Sequence, residues 1–302
     1  MNGIAIALLS CAFLALEFVF SKVLLRSMDP IVLTAITSFA AAFILLFILE
    51  ARHKVWEMGK LKRKEFLVLL AVGLISGVLA QLLYNTGLKE STATNAVLLT
   101  RLNSLLIAIM GVVFIKEKLR SYHITGALLM VSGIVIIATK NFTVEVKPTH
   151  GDGLLLLAAF CWAAANILMK KYLSTVPPEV IVIGYYGFSG IFLSVLNAGY
   201  IMPQLTAEAI LYLAALIIFV SIIGRYLWYY SLEHTSASNV GLASLSIPLF
   251  GVLYSTFLLG ETLTTYHIIG GILIFTGLVV IEIPILSHED LLHRLKRHYP
   301  HH

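Results

Sequence analysis

Ten apolar runs of roughly membrane-spanning length divide the sequence, each bounded by proline, glycine or charge. They fall at 4–25, 30–50, 66–88, 92–115 and 121–139, and then at 152–172, 178–200, 208–231, 236–259 and 264–286. About 20 apolar residues in a helix cross the hydrocarbon core of a bilayer, where an irregular backbone has no water to bond with. The runs do not alternate apolar with polar residues, which excludes closed barrel strands. Composition agrees, with 59% hydrophobic and 12% charged residues against about 25% charged for a soluble chain. Mean hydropathy is +0.93. Soluble enzymes, disulfide scaffolds and disordered chains are excluded, and no length remains for a separate soluble domain. The expected fold class is an all-α integral membrane protein with ten transmembrane helices.

The charges report orientation. With the N-terminus in the cytoplasm, Lys22, Arg26, Lys89, Lys140 and Lys147 lie outside, Arg101 and Arg225 lie within helices, and the other fourteen of the 21 Lys and Arg lie inside. The positive-inside rule therefore places both termini in the cytoplasm of a multi-pass cell (plasma) membrane protein. The net charge of +5 is read as topology, because no continuous basic face for nucleic acid is present. The apolar N-terminus lacks a basic region and holds Glu17, so no cleaved signal peptide is expected. Cys11 and Cys161 sit in apolar runs and read as small core residues. Residues 287–302 read as a basic cytoplasmic tail forming a short amphipathic surface segment, and its histidines match no zinc spacing. No metal and no cofactor are expected.

The sequence repeats itself. Leu88, Ala93, Asn95, Glu117, Leu119, Tyr122, His123, Ile124, Gly126 and Gly133 recur 144 residues later at Leu232, Ala237, Asn239, Glu261, Leu263, Tyr266, His267, Ile268, Gly270 and Gly277. Towards the N-terminus the offset becomes 148, as in Lys22 with Lys170 and Pro30 with Pro178. Residues 1–140 and 150–286 are thus two five-helix repeats. Five is odd, so the second repeat enters the membrane inverted, the architecture expected for alternating access.

Gly260, Glu261, Leu263, Gly270, Leu273, Ile274 and Gly277 resemble the G-E-x-L and G-x-x-L-I-x-x-G motif of EamA-type members of the drug/metabolite transporter superfamily. Leu232, Thr235, Ser236, Ala237 and Ser238 resemble that family's pattern before its ninth helix. The resemblance occurs in both halves, while Ala15 to Phe20 depart from the small, polar stretch that many members carry there. It implies a carrier for small metabolites, often an exporter, with a cavity between the halves lined chiefly by helices three, four, eight and nine.

Charged groups persist in hydrocarbon only where paired or facing a polar cavity. Arg101 lies about 14 Å from the outer end of helix four and Glu17 about 12 Å below the outer end of helix one. They share a depth, as a structural ion pair or as a pair that couples protonation to transport. Arg225, about 9 Å from the cytoplasmic end of helix eight, pairs with Glu17 only if a helix bends. It either faces water and substrate or snorkels to the inner interface. It stands in a stripe with Ser221 and Tyr229, beside Trp228. The repeat partners of this stripe are Gly77, Gln81 and Asn85, with Tyr84 matching Trp228.

Helix four adds Thr94, Asn95, Asn103 and Ser104. Helix six carries Trp162, Asn166 and Lys170 at successive i+4 steps. Trp162 and Asn166 read either as site residues or as core packing with an interhelical hydrogen bond, and Lys170 reads as an anchor at the cytoplasmic end. Pro248 frees the carbonyl of Ser244 and kinks helix nine. Glu117 and Glu261 read as caps of the helices that follow them, near Ser121 and Thr265.

Glu17, Gln81, Tyr84, Asn85, Arg101, Trp162, Asn166, Arg225, Trp228 and Tyr229 form the expected substrate-binding set. Guanidinium groups hold a carboxylate, Glu17 accepts an ammonium, and these aromatics with Tyr185 surround a side chain. That chemistry points to amino acids or related zwitterions and organic anions. An exchanger of phosphorylated metabolites or nucleotide sugars is the alternative within transport, and a structural or partner-binding membrane protein is the alternative outside it. No Ser-His, H-E-x-x-H or paired Asp arrangement lies in the spans, so no enzyme is expected. No G-x-x-x-x-G-K motif is present either. The expected partners are a small-molecule substrate, the lipid bilayer, and protons or a counter-substrate.

Overall fold

The computed structural model describes residues 3–25, 27–51, 59–91, 93–139, 149–196, 205–259 and 263–298. They form helices at nearly the positions the apolar runs predict. In chain order these are α1 (Gly3–Leu24), α2 (Pro30–Ala51), α3 (63–90), α4 (93–115), α5 (Ser121–Ala138), α6 (Gly151–Tyr172), α7 (Pro178–Leu196), α8 (207–234), α9 (237–259) and α10 (Thr265–His298). Seven spans, within α1, α2, α3, α6, α7, α8 and α9, are long and apolar enough to cross a membrane. The apolar helices 99–115, 121–137 and 265–281 are shorter. No strand occurs among the described residues. The last helix does not stop at 286 but continues to His298, through a run of good helix formers in the tail.

Several helices start at signals legible in the sequence. Pro30 and Pro178 each occupy a first helical position, where a missing N–H costs nothing. Thr206 and Ser236 cap α8 and α9 by accepting N–H bonds from Ala209 and Asn239.

The exterior is apolar. Phe43, Phe47, Val195 and Phe257 are each at least 65% exposed, a belt that only lipid satisfies. Burial of apolar area therefore drives little helix association, and close packing of small residues takes its place. Glycines make this visible between α5 and α10. A Cβ at Gly133 would lie 2.4 Å from the Gly270 carbonyl oxygen, and one at Gly126 would lie 2.6 Å from that of Gly277. Because residue numbers rise along one helix as they fall along the other, α5 and α10 cross antiparallel.

The remaining packing exchanges helices between the halves. α1 lies against α8 and α9, whereas α6 lies against α3 and α4, and α2 pairs with α7. Gly3 abuts His234 and Thr235, and its repeat partner Gly151 abuts Gly87 and Glu90. Both α3 and α8 contain a wide π-helical stretch, at Gly73–Ala80 and Leu216–Gly224, which coincide almost residue for residue at the offset of 144. Such stretches re-aim the side chains that follow and recur at functional sites.

Candidate substrate site

Arg225 is the first residue beyond the wide stretch of α8. Its guanidinium carbon lies 5.4 Å from the ring centre of Tyr185 on α7, a cation–π distance. The Tyr185 ring meets Tyr186 edge-on at 4.9 Å and Tyr229 at 6.2 Å. Gly77 on α3 lets Ser189 of the same α7 helix approach closely, since a Cβ there would stand 2.7 Å from the Ser189 Cβ. Arg225 thus faces three tyrosines, and its buried Nε has no hydrogen-bond partner among the described residues.

Arg101 occupies a second position, on α4. Its Nη1 donates to the Ser244 carbonyl at 3.4 Å, while its Nε and Oδ1 of Asn103 are buried without partners among the described residues. Ser104 and Ser244 join their hydroxyls at 2.6 Å, tying α4 to α9 beside it. The charge of Arg101 acts on Tyr84 and Cys11.

Glu17 feels the charge of both arginines. It makes no ion pair with either among the described residues, where such a contact joins His150 to Glu90. The largest charge acting on Glu17 is that of Arg225, ahead of Arg101. The Glu17–Arg101 pair expected from equal depth is thus not a direct ion pair among the described residues. Equal depth implied contact only if α1 packed on α4, whereas α1 packs on α8 and α9, and the wide stretch of α8 brings Arg225 into the same field.

The other candidates divide by role. Trp228 donates its indole N–H to Oδ1 of Asn166 at 2.7 Å, and the Asn166 amide donates to the Trp162 carbonyl at 2.8 Å. Asn166 is therefore an interhelical tie that fixes Trp228, the packing alternative for that residue. Trp162 lies 5.4 Å ring to ring from Tyr84, which lines the Arg101 side. Asn85 is buried and donates to the Thr34 hydroxyl at 3.3 Å, binding α3 to α2. Gln81 is partly exposed on the same helix.

Lys170 donates its ammonium to the backbone carbonyls of Leu232 and Thr235, which ties the end of α6 to the end of α8. Glu117 does not cap α5. It accepts from the N–H groups of Ala237 and Ser238 at the start of α9, in the other half of the chain. Glu261 lies outside the described residues, as do the side chains of Thr94 and Asn95. Tyr186 escaped the sequence reading, although adjacent tyrosines between Gly184 and Gly187 in an apolar helix were its signal.

Two guanidinium groups whose buried Nε atoms have no partner among the described residues, both acting on one carboxylate and lined by phenols and indoles, suit a small solute carrying both charge and apolar surface. The sequence profile of the EamA-like transporter family matches residues 1–139 and again 149–283. The chain belongs to the EamA-like transporter family. That family is part of the drug/metabolite transporter superfamily, and this member is a multi-pass membrane protein. It is 28% identical over 284 residues to an uncharacterized transporter of Methanothermobacter thermautotrophicus, covering 89% of this chain and 82% of that one. It is 27% identical over 290 residues to a probable amino-acid metabolite efflux pump of Escherichia coli, covering 91% and 93%. A crystal structure 19% identical in sequence superposes with a TM-score of 0.80 over 92% of this chain and 96% of that one, so the fold is shared.

Proposed function

We propose that this EamA-like transporter is a secondary carrier of small zwitterionic or anionic metabolites, amino acids foremost, working as an exporter by alternating access. The observation that carries the proposal is the pair of buried Nε atoms on Arg101 and Arg225 that have no partner among the described residues, with both charges acting on Glu17. A buried charged donor left unpaired is strongly unfavourable, and a carboxylate on the substrate relieves that while Glu17 receives the ammonium. Trp162, Trp228, Tyr84, Tyr185 and Tyr229 supply apolar walls for the rest of the solute. The relative named as an amino-acid metabolite efflux pump supports the class of cargo and the direction.

Alternating access is supported by the inverted reading of the repeats. The antiparallel glycine contacts of α5 with α10 join repeat partners, and each half's first helix packs on the other half's third and fourth. The Lys and Arg distribution supports a cell-membrane protein with both termini in the cytoplasm. The energy source is a proton gradient, exchange against a counter-substrate, or downhill flow.

Thermal-shift screening of the purified protein tests the reading, with amino acids, phosphorylated sugars, nucleotide sugars and organic cations as ligands. Amino acids should raise the melting temperature and drive counterflow in proteoliposomes. Stabilisation by phosphorylated compounds alone transfers the two arginines to the exchanger reading. No stabilisation and no flux with any class overturns the proposal.

A further inference from the structure

α8 ends and α9 begins within a turn at residues 235 and 236. Two helix ends of opposite partial charge are therefore adjacent: the last carbonyls of α8 and the first amides of α9. A side chain of opposite sign holds each. Lys170, in the last turn of α6, places its ammonium on the carbonyls of Leu232 and Thr235, the second at 2.6 Å. Glu117, beyond the end of α4, accepts from the N–H groups of Ala237 at 2.7 Å and Ser238 at 2.9 Å, and from the Ser238 hydroxyl at 2.5 Å.

The backbone around Glu117 is built for this reach. Lys116 adopts a left-handed conformation with φ of 61°, and the Glu117 N–H turns back to the Gly111 carbonyl at 3.1 Å. A Cβ at Gly111 would stand 2.7 Å from the Glu117 carboxylate and 2.8 Å from the Ser238 hydroxyl, so a larger residue there would have to displace this contact. α9 already has its own cap, since Ser236 accepts the Asn239 N–H at 3.1 Å. Glu117 takes the first two amides, which this cap leaves open, and so ties the start of α9 to the end of α4. Beside the turn a small cavity is bounded by Lys170, Leu173, Ile181, Leu232 and Tyr229. Tyr229 also faces Arg225, so one side chain is shared between this cavity and the substrate site.

We infer that the α8–α9 turn is a gate on the face assigned to the cytoplasm, and that Lys170 and Glu117 together are the latch that holds it shut. The inference rests on the carrier reading above. Both ties are charge-assisted bonds made to the turn from the ends of α6 and α4. Movement of the turn away from those ends breaks both ties together and opens the cavity beside Tyr229. Neither residue touches the proposed substrate groups, so their role is distinct from binding.

The test is a labelling rate. Cys11 and Cys161 are replaced by alanine, and Leu232, buried in the latched turn, is changed to cysteine. A membrane-impermeant maleimide is applied to inside-out vesicles. Glu117→Gln with Lys170→Met should speed modification of the Leu232→Cys thiol about tenfold, the effect of losing roughly one net charge-assisted bond. Lys170→Arg alone should leave it slow. Should the double variant fail to fold, each single variant should give a smaller rise, with melting temperature measured alongside. Unchanged labelling in folded variants overturns the latch, whatever the flux. Faster labelling in a protein whose parent moves no solute keeps the latch and overturns the carrier reading.

Discussion

The Arg101 guanidinium donates to the Ser244 backbone carbonyl, the carbonyl that Pro248, four residues on and without an N–H, cannot engage. A tighter turn runs through Ser244–Ser246, and the Ile247 N–H takes one lone pair of that oxygen. The other is left for the arginine. A backbone irregularity in one half of the chain thereby positions a charge in the other half.

Pro248→Ala restores an N–H that competes for this oxygen. Substrate affinity should fall roughly tenfold, the low end of the scale of one hydrogen bond to a charged group, while the melting temperature holds or rises. Thermal-shift titration reads both quantities, and unchanged affinity would show that the kink does not position Arg101.

Arg225→Gln keeps hydrogen-bonding capacity and removes the charge, so affinity should drop by at least about tenfold with the fold retained. Arg225→Lys should recover only part of this, because an ammonium does not stack on Tyr185 as a planar guanidinium does. Equal affinity in all three proteins would return Arg225 to a snorkelling role.

Glu17 and Arg101 share a field without sharing a bond, so neutralising both should not restore what either loss removes. Glu17→Gln should change the pH profile of proteoliposome flux between about pH 5 and 8. The double variant with Arg101→Gln should remain impaired at a normal melting temperature. Full flux with an unshifted profile in the double variant would make the pair structural.

Asn166→Ala and Trp228→Phe each remove one side of the same buried bond, and each should destabilise the fold by about 1–3 kcal/mol. Combined, they should cost little more than the worse single change, since the bond is lost once. Strict additivity in a thermal-denaturation cycle would mean the two residues act separately.

Gly133→Val drives side-chain atoms into the Gly270 backbone and should destabilise the α5–α10 pair by about 1–3 kcal/mol. Gly153 lies in α6 with open space around its Cβ position, so Gly153→Ala is the control and should hold or raise the melting temperature.

Much of this protein was legible in one dimension. Lipid imposes a single local rule, that backbone polar groups bond within the helix, so apolar run length gave helix boundaries within a few residues for α1 to α9. The constant offset marked the repeat. Arg101 and Arg225 stood out because an ionisable group in an apolar run needs a reason to be there.

Which residues meet was decided by the tertiary fold. Depth along a helix is a local quantity, and on that scale Glu17 and Arg101 matched, but contact depends on which helices pack together. α1 packs on α8 and α9, so Glu17 answers first to Arg225. Lys170 and Glu117 were read as parts of their own neighbourhoods and instead bind helix ends 62 and 120 residues away. The sequence by itself determined the helices, the repeat and the presence of intramembrane charge, because these follow from local hydropathy and spacing. The tertiary structure alone decided the partners of those charges, because helix ends and arginines are satisfied by whatever the packing brings within hydrogen-bond reach.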